Sequence, residues 1–292
     1  MKTTIFKYCL FALLFSIATS YAQDTIPFNL GKDNRIYLKA TVNDSEPLIF
    51  IFDTGANAMV VNTTKTNSKL NLKFNSETEN TGANGTINQK VSTSNTLQIG
   101  KFKRTNEDII GIPYSAEHYT FDGVIGYPFF EDYLIEINYK LHKLVLHSSL
   151  KTITNLKSYD KTKMGIIQEV PFIDFTIIKA NNMSVTFPAL IDTGFNGELI
   201  VYHKTVTEFK LSNHFEKIGA GKSQGTDGTI IHSDQVIIPK VKIGDVTIKN
   251  TIASLNKTST NTEFTAILGG EILKNINWIL DFKKKRIYTI SK

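Results

Sequence analysis

The chain has 292 residues, 41% of them hydrophobic, with 33 Lys and Arg against 27 Asp and Glu for a formal charge of +6. That length suits one large unit or two lobes, each big enough for its own core. The basic residues are scattered, whereas nucleic-acid binding needs a concentrated patch, so no nucleic-acid partner is expected.

Met1 to Ala22 has the layout of a secretory signal. Lys2 and Lys7 open it, Tyr8 to Ala18 is mainly apolar, and Ser20-Tyr21-Ala22 offers a small-x-small cleavage site. The apolar core is too short to favour a membrane span, so none is expected after signal removal. A secreted or periplasmic location follows as an expectation. Cleavage would leave 270 residues (292 − 22) and a charge of +4, and would remove Cys9, the one cysteine. Disulfides and thiol catalysis are thereby excluded from the mature protein.

Strand signals dominate from Thr25 onward. Ile36 to Ala40 and Leu48 to Phe52 flank a turn at Asn43-Asp44, and Met59-Val60-Val61 continues as strand. The Asn-, Thr- and Lys-rich segment to Lys73 is loop or a short helix. Asn84-Gly85, with Gly82 before it, is a strong hairpin signal. Ile109 to Ile112 is another strand, and the loop Pro113 to Phe121 holds Tyr114, His118 and Tyr119, which either line a pocket or cover a core edge. Phe129 to Tyr133 has the look of a short helix before strands at Leu134–Tyr139 and Lys143–His147. Ser148 to Met164, polar and aperiodic, reads as a linker. Signal 1–22, first lobe 23–155 and second lobe 156–292 are the expected divisions. In the second half, His203 to Lys210 suggests a helical turn, and Trp278 belongs to the core. Lys283 to Arg286 falls where the first half has Lys140-Leu141-His142-Lys143, so a solvated hairpin turn explains that basic run. The class is all-β with few short helices.

One motif returns. Ile51-Phe52-Asp53-Thr54-Gly55-Ala56-Asn57 is matched by Leu190-Ile191-Asp192-Thr193-Gly194-Phe195-Asn196, 139 positions later (192 − 53). In each an apolar strand runs into an acid, then a hydroxyl, then a glycine that permits an unusual turn. An acid at the mouth of a buried strand is costly unless hydrogen-bonded or used. Two of them suggest a carboxylate pair sharing one proton, acid and base in one site. The flanks repeat too: Ile26-Pro27-Phe28 with Val170-Pro171-Phe172, Asn84 to Ile87 with Asp227 to Ile230, and Leu97 to Gly100 with Val241 to Gly244. Val124-Ile125-Gly126 then matches Ile267-Leu268-Gly269, and Glu136 to Tyr139 matches Ile279 to Phe282. From apolar-apolar-Gly glycine to aromatic is 13 positions in both halves (139 − 126; 282 − 269). The chain is an internal duplication.

On these motifs the sequence resembles the two-lobed aspartic proteases of the pepsin/retropepsin-like type, over nearly the whole mature length. The resemblance implies a two-lobed all-β fold, with Asp53 and Asp192 as the catalytic pair hydrolysing peptide bonds through an activated water. Thr54, Gly55, Thr193 and Gly194 would support the acid loops, and Gly126 and Gly269 would lie beneath them. The hairpin at Gly82, Asn84 and Gly85 would be a flap over a peptide or protein substrate. No cofactor or metal is implied, and a monomer is expected because both acids lie in one chain. Two departures stand out. Ala56 and Phe195 take the places where pepsins often carry a hydroxyl that bonds the acid, and the flap has no Tyr. A non-catalytic peptide- or protein-binding module on the same fold therefore stays open.

Other patterns carry less. Gly219 to Ser223 has a Gly-Lys-Ser ending but Glu216 where a phosphate loop needs its first glycine, and reads as a glycine-rich loop. The histidines form no His-x-His or His-Glu-x-x-His pattern, and there is no Gly-x-Ser-x-Gly elbow.

Overall fold

A computed structural model describes residues 24–82, 85–115, 119–179, 183–224, 230–258 and 263–291. The expected signal Met1 to Ala22, Asn84 in the candidate flap, His118 and Asp227-Gly228 lie outside the described residues.

The first half contributes β1 (Asp24–Pro27), β2 (Asn29–Leu30), β3 (Ile36–Val42), β4 (Leu48–Asp53), β5 (Met59–Asn62), β6 (Phe74–Gly82), β7 (Gly85–Ile99), β8 (Phe102–Ile112), β9 (Gly123–Gly126), β10 (Leu134–Asn138) and β11 (Lys143–His147). The second contributes β12 (Asp160–Lys163), β13 (Gly165–Ile167), β14 (Val170–Ile178), β15 (Ser184–Ile191), β16 (Leu199–Val201), β17 (Lys217–Gln224), β18 (Ile230–Ile243), β19 (Val246–Asn256), β20 (Ala266–Leu268), β21 (Ile276–Asp281) and β22 (Arg286–Ser291). Among the described residues the α-helices between them are short: α1 (Thr63–Thr66), α2 (His203–Glu208) and α3 (Gly270–Leu273). The alternation in β3 puts Ile36, Leu38, Ala40 and Val42 inward. β4 is instead covered on both faces. Phe50 and Phe52 enter the main core, while Ile51 enters a second cluster with Val60, Ile110, Phe121 and Val124. An unbroken apolar run is what a strand buried on both sides requires.

Each half folds into an eight-stranded sheet. The orders are β2-β3-β4-β9-β5-β8-β7-β6 and β13-β14-β15-β20-β16-β19-β18-β17. Strand for strand they are the same, so the duplication read from the motifs is a duplication of topology. In both, the strand ending at the acid runs parallel to the strand ending near the apolar-apolar-Gly glycine, with Phe52 beside Ile125 and Ile191 beside Leu268. A third sheet, β1-β11-β10-β21-β22-β12, takes three strands from each half. The halves meet where β10 and β21 pair antiparallel, Ile135 opposite Leu280 and Ile137 opposite Trp278. The pseudo-twofold passes between these two strands.

Several expectations change. Ile26-Pro27-Phe28 is not the counterpart of Val170-Pro171-Phe172. Pro27 ends β1 in the shared sheet, whereas Pro171 lies in β14, whose topological equivalent is β3. The linker is shorter than read, because Asp160–Lys163 is an edge strand on β22. Its alternation is only half-exposed against exposed, so hydrophobic period gave no signal. Gly219 to Ser223 is not a loop but the arm of a hairpin, paired with Gln235 to Ile231. The expected helix at Phe129 to Tyr133 is a 3-10 turn over Tyr127–Phe130, and that at His203 to Lys210 is α2.

Candidate active site

Asp53 closes β4 and Asp192 follows β15, so the symmetry of the lobes brings the two acid loops face to face. Their threonines interlock. The Thr54 hydroxyl donates to the Ile191 carbonyl at 2.5 Å and accepts the Thr193 amide at 3.1 Å. Reciprocally, the Thr193 hydroxyl donates to the Phe52 carbonyl at 2.7 Å and accepts the Thr54 amide at 3.0 Å. Both threonines are 0–1% exposed. Four buried bonds with no solvent competition fix one loop against the other.

The glycines make the approach possible. A Cβ on Gly55 would stand 2.8 Å from Cγ of Asp192, and one on Gly194 would stand 2.5 Å from Cγ of Asp53. Each carboxyl thus rests against the glycine of the opposite loop. Asp53 Oδ1 accepts the Gly55 amide at 2.7 Å, and Asp192 Oδ1 accepts the amides of Gly194 and Phe195 at 2.8 Å. A hydrogen bond joins the two carboxyls. The glycines Gly126 and Gly269 lie under these loops. The Gly126 amide donates to the Ala58 carbonyl at 3.0 Å, and the Gly269 amide to the Glu198 carbonyl at 2.9 Å. A Cβ at Gly126 would collide with the Ala56 carbonyl oxygen, and one at Gly269 with that of Gly197 and with the Phe195 ring. Phe195 therefore packs beneath its loop, giving the acid its amide and no side-chain donor.

Burial pushes both carboxyls above the ordinary Asp range. For Asp192 the negative charge of Asp53 adds to burial and carries it well above. For Asp53 burial is opposed by the hydrogen bond from Asp192, by backbone amides and by the positive charge of Arg35.

Sequence reasoning missed the residues that clasp the lobes. The β2–β3 hairpin reaches across to the second lobe, where Arg35 Nε donates to the Gly194 carbonyl at 2.6 Å. Asn34 in the same turn donates to Glu271 and accepts Lys274 Nζ at 2.9 Å. The β13–β14 hairpin returns the gesture. Glu169 accepts Asn57 Nδ2 at 2.8 Å through its carboxylate and the Tyr127 hydroxyl at 2.7 Å through its carbonyl. Tyr127 also stacks on Phe282 with ring centroids 3.9 Å apart. Such contacts join residues more than 40 positions apart, so no local pattern announces them. Of the loop residues Tyr114 and Tyr119, Tyr114 is the one whose hydroxyl feels the charge of Asp53. It packs with Tyr119 and Phe121 at 5.0 and 5.5 Å, and its hydroxyl is pushed up by burial and then by the charge of Asp53. Gly82 and Gly85 face each other at the end of the β6–β7 hairpin.

The aspartyl protease family model matches residues 38–129. Among solved structures, the aspartic proteinase from Irpex lacteus covers 93% of this chain over 98% of its own, with a TM-score of 0.56 and 13% identity. At that identity the likeness concerns the fold. No curated protein matched the sequence significantly. With residues 38–129 matching the aspartyl protease family model and nearly the whole chain sharing the fold of an aspartic proteinase, the chain has the two-lobed fold of the pepsin/retropepsin-like aspartic proteases.

Proposed function

We propose that the protein is an aspartic endopeptidase, exported across a membrane, whose working groups are Asp53 and Asp192. The observation that carries this is the reciprocal threonine lock, which sets two carboxyls in hydrogen-bond contact at the junction of the lobes. Two acids so close ionise one after the other, so over a range of pH one keeps a proton while the other acts as base. The ionised carboxylate takes a proton from a water, and the resulting hydroxide equivalent attacks the scissile carbonyl carbon. The protonated carboxyl donates to the carbonyl oxygen as it becomes tetrahedral. Collapse breaks the C–N bond: the leaving nitrogen takes up the proton first drawn from water, and the proton lent to the carbonyl oxygen returns to the dyad as the new carboxyl group forms. The β6–β7 hairpin would fold over the bound peptide as a lid and exclude solvent. Activity would not require a second chain. Export rests on the layout of Met1 to Ala22.

The test is cleavage of a diverse peptide mixture across pH, read by mass spectrometry. Internal cuts by the wild type, lost in Asp53→Asn and in Asp192→Asn, are expected. The rate should be bell-shaped in pH, falling where both acids are protonated and again where both are ionised. The raised Asp192 places the second fall above the ordinary carboxylate range. Peptides that survive intact at every pH would overturn the reading.

A further inference from the structure

The two lobes are symmetric at the acids but not beside them. By strand register, Ile36 stands opposite Phe52 and Phe172 opposite Leu190, which places Val170 in the second lobe where Arg35 stands in the first. Arg35 is a cation with a 14% exposed side chain, whereas Val170 is buried and apolar. Arg35 is fixed on both sides. Its Nη1 pairs with Asp33 at 2.9 Å, and its Nε donates to the carbonyl of Gly194, the residue against which the Asp53 carboxyl rests. Asp33 in turn accepts the Tyr37 hydroxyl at 2.7 Å.

We infer that Arg35 is a positioning residue that decides which acid of the pair holds the proton, keeping Asp53 ionised and Asp192 protonated. The backbone amides do not make that choice: Asp53 accepts the amide of Gly55, whereas Asp192 accepts those of Gly194 and Phe195, which by themselves would favour the carboxylate on Asp192. The titratable and charged groups around them are Asp33 and Tyr37 on the hairpin of Arg35, Tyr114 from the loop after β8, and Glu271 and Lys274 of the facing helical turn. Glu271 and Lys274 pair with each other at 2.7 Å and with Asn34. Tyr114 and Tyr37 are pushed toward their neutral forms by burial first. Burial would raise Asp33, but the hydrogen bonds from Tyr37 and Arg35 and the arginine charge hold it below the usual range, so it remains the counter-ion of Arg35. The direction of the Arg35 effect on Asp53 agrees, since a nearby cation favours the carboxylate.

The proposal rests on Asp53 and Asp192 being the working pair, and its test does not need turnover. The carboxyl carbons of Asp are labelled with carbon-13 in protein made from the full chain and titrated by NMR, with Asp53→Asn and Asp192→Asn assigning the two signals. Between the two ionisations the wild type should show Asp53 as carboxylate and Asp192 as carboxylic acid. Arg35→Met should raise the first ionisation by about one pH unit or more and even out the proton between the two. Arg35→Lys should keep the wild-type titration while melting earlier, because it retains the charge and loses the Nε donor. Asp33→Asn should move the first ionisation the other way, since Arg35 then acts without its counter-ion. An Arg35→Met titration equal to that of the wild type would reduce Arg35 to a tie between loops and overturn the proposal. If Arg35→Met does not fold, an unmoved first ionisation in Asp33→Asn overturns it instead. Peptide turnover stands apart: a wild type that cuts nothing removes the peptidase reading and leaves the titration to decide the role of Arg35.

Discussion

Thr54 and Thr193 carry a large share of the connection between the acid loops through very few atoms. Replacing either with Val keeps shape but leaves a buried carbonyl and a buried amide of the opposite lobe without partners. Each change should cost about 1–3 kcal/mol in urea unfolding, with turnover falling as the loops separate. Neutral results at both positions would show that the interlock seen at 2.5–3.1 Å contributes nothing. Asp192 makes a prediction of opposite sign. Its folded-state proton affinity lies above that of the unfolded chain, so the native state binds more protons between the two pKa values. Stability from this residue is therefore fullest below about pH 4 and falls as pH rises through that window. Asp192→Asn removes the buried charge. Its melting temperature should exceed that of the wild type by more at pH 7 than at pH 4, and a difference that is flat in pH would contradict the shift.

At the scale of elements, each acid loop is a bend supported from below by the turn that follows β9 or β20. Gly126 and Gly269 allow that contact because a Cβ there would meet backbone oxygen, which cannot swing aside as a side chain can. Gly126→Ala and Gly269→Ala should each destabilise by about 1–3 kcal/mol from overpacking and lift the Asp loop out of register. Differential scanning calorimetry beside a rate measurement checks both, and a silent alanine at either site would remove the support. These loops were legible in the sequence because strand, acid and glycine are consecutive, and the same order occurs twice. The hairpin ends at Gly100 and Gly244 were legible for a like reason, as both adopt positive φ near +55° where glycine is favoured. Where the reading failed, the signal was ambiguous or absent. Ile26-Pro27-Phe28 and Val170-Pro171-Phe172 share an apolar-Pro-Phe spelling, yet one leads into a strand end of the shared sheet and the other lies within a lobe. Arg35, Asn34 and Glu169 sit in polar turns that look like any solvated hairpin, and only tertiary packing gives them partners.

For the whole molecule the decisive element is the six-stranded sheet that both halves complete. Its central pairing, β10 with β21, joins residues buried to 0–1% exposure, among them Ile135, Ile137, Trp278 and Leu280. The main core cluster runs without a break from Ile26 to Ile287. By contrast, the covalent connection at Thr154 and Asn155 is exposed. The peptide bonds that tie one lobe to the other are thus the least of what holds them. A cut introduced there, through a recognition site for a specific protease placed between Thr154 and Asn155, should yield two polypeptides that travel as one particle in gel filtration and separate only in denaturant. Each piece made without the other would carry a bare inner strand, open to pairing with any similar edge, and should self-associate where the nicked pair does not.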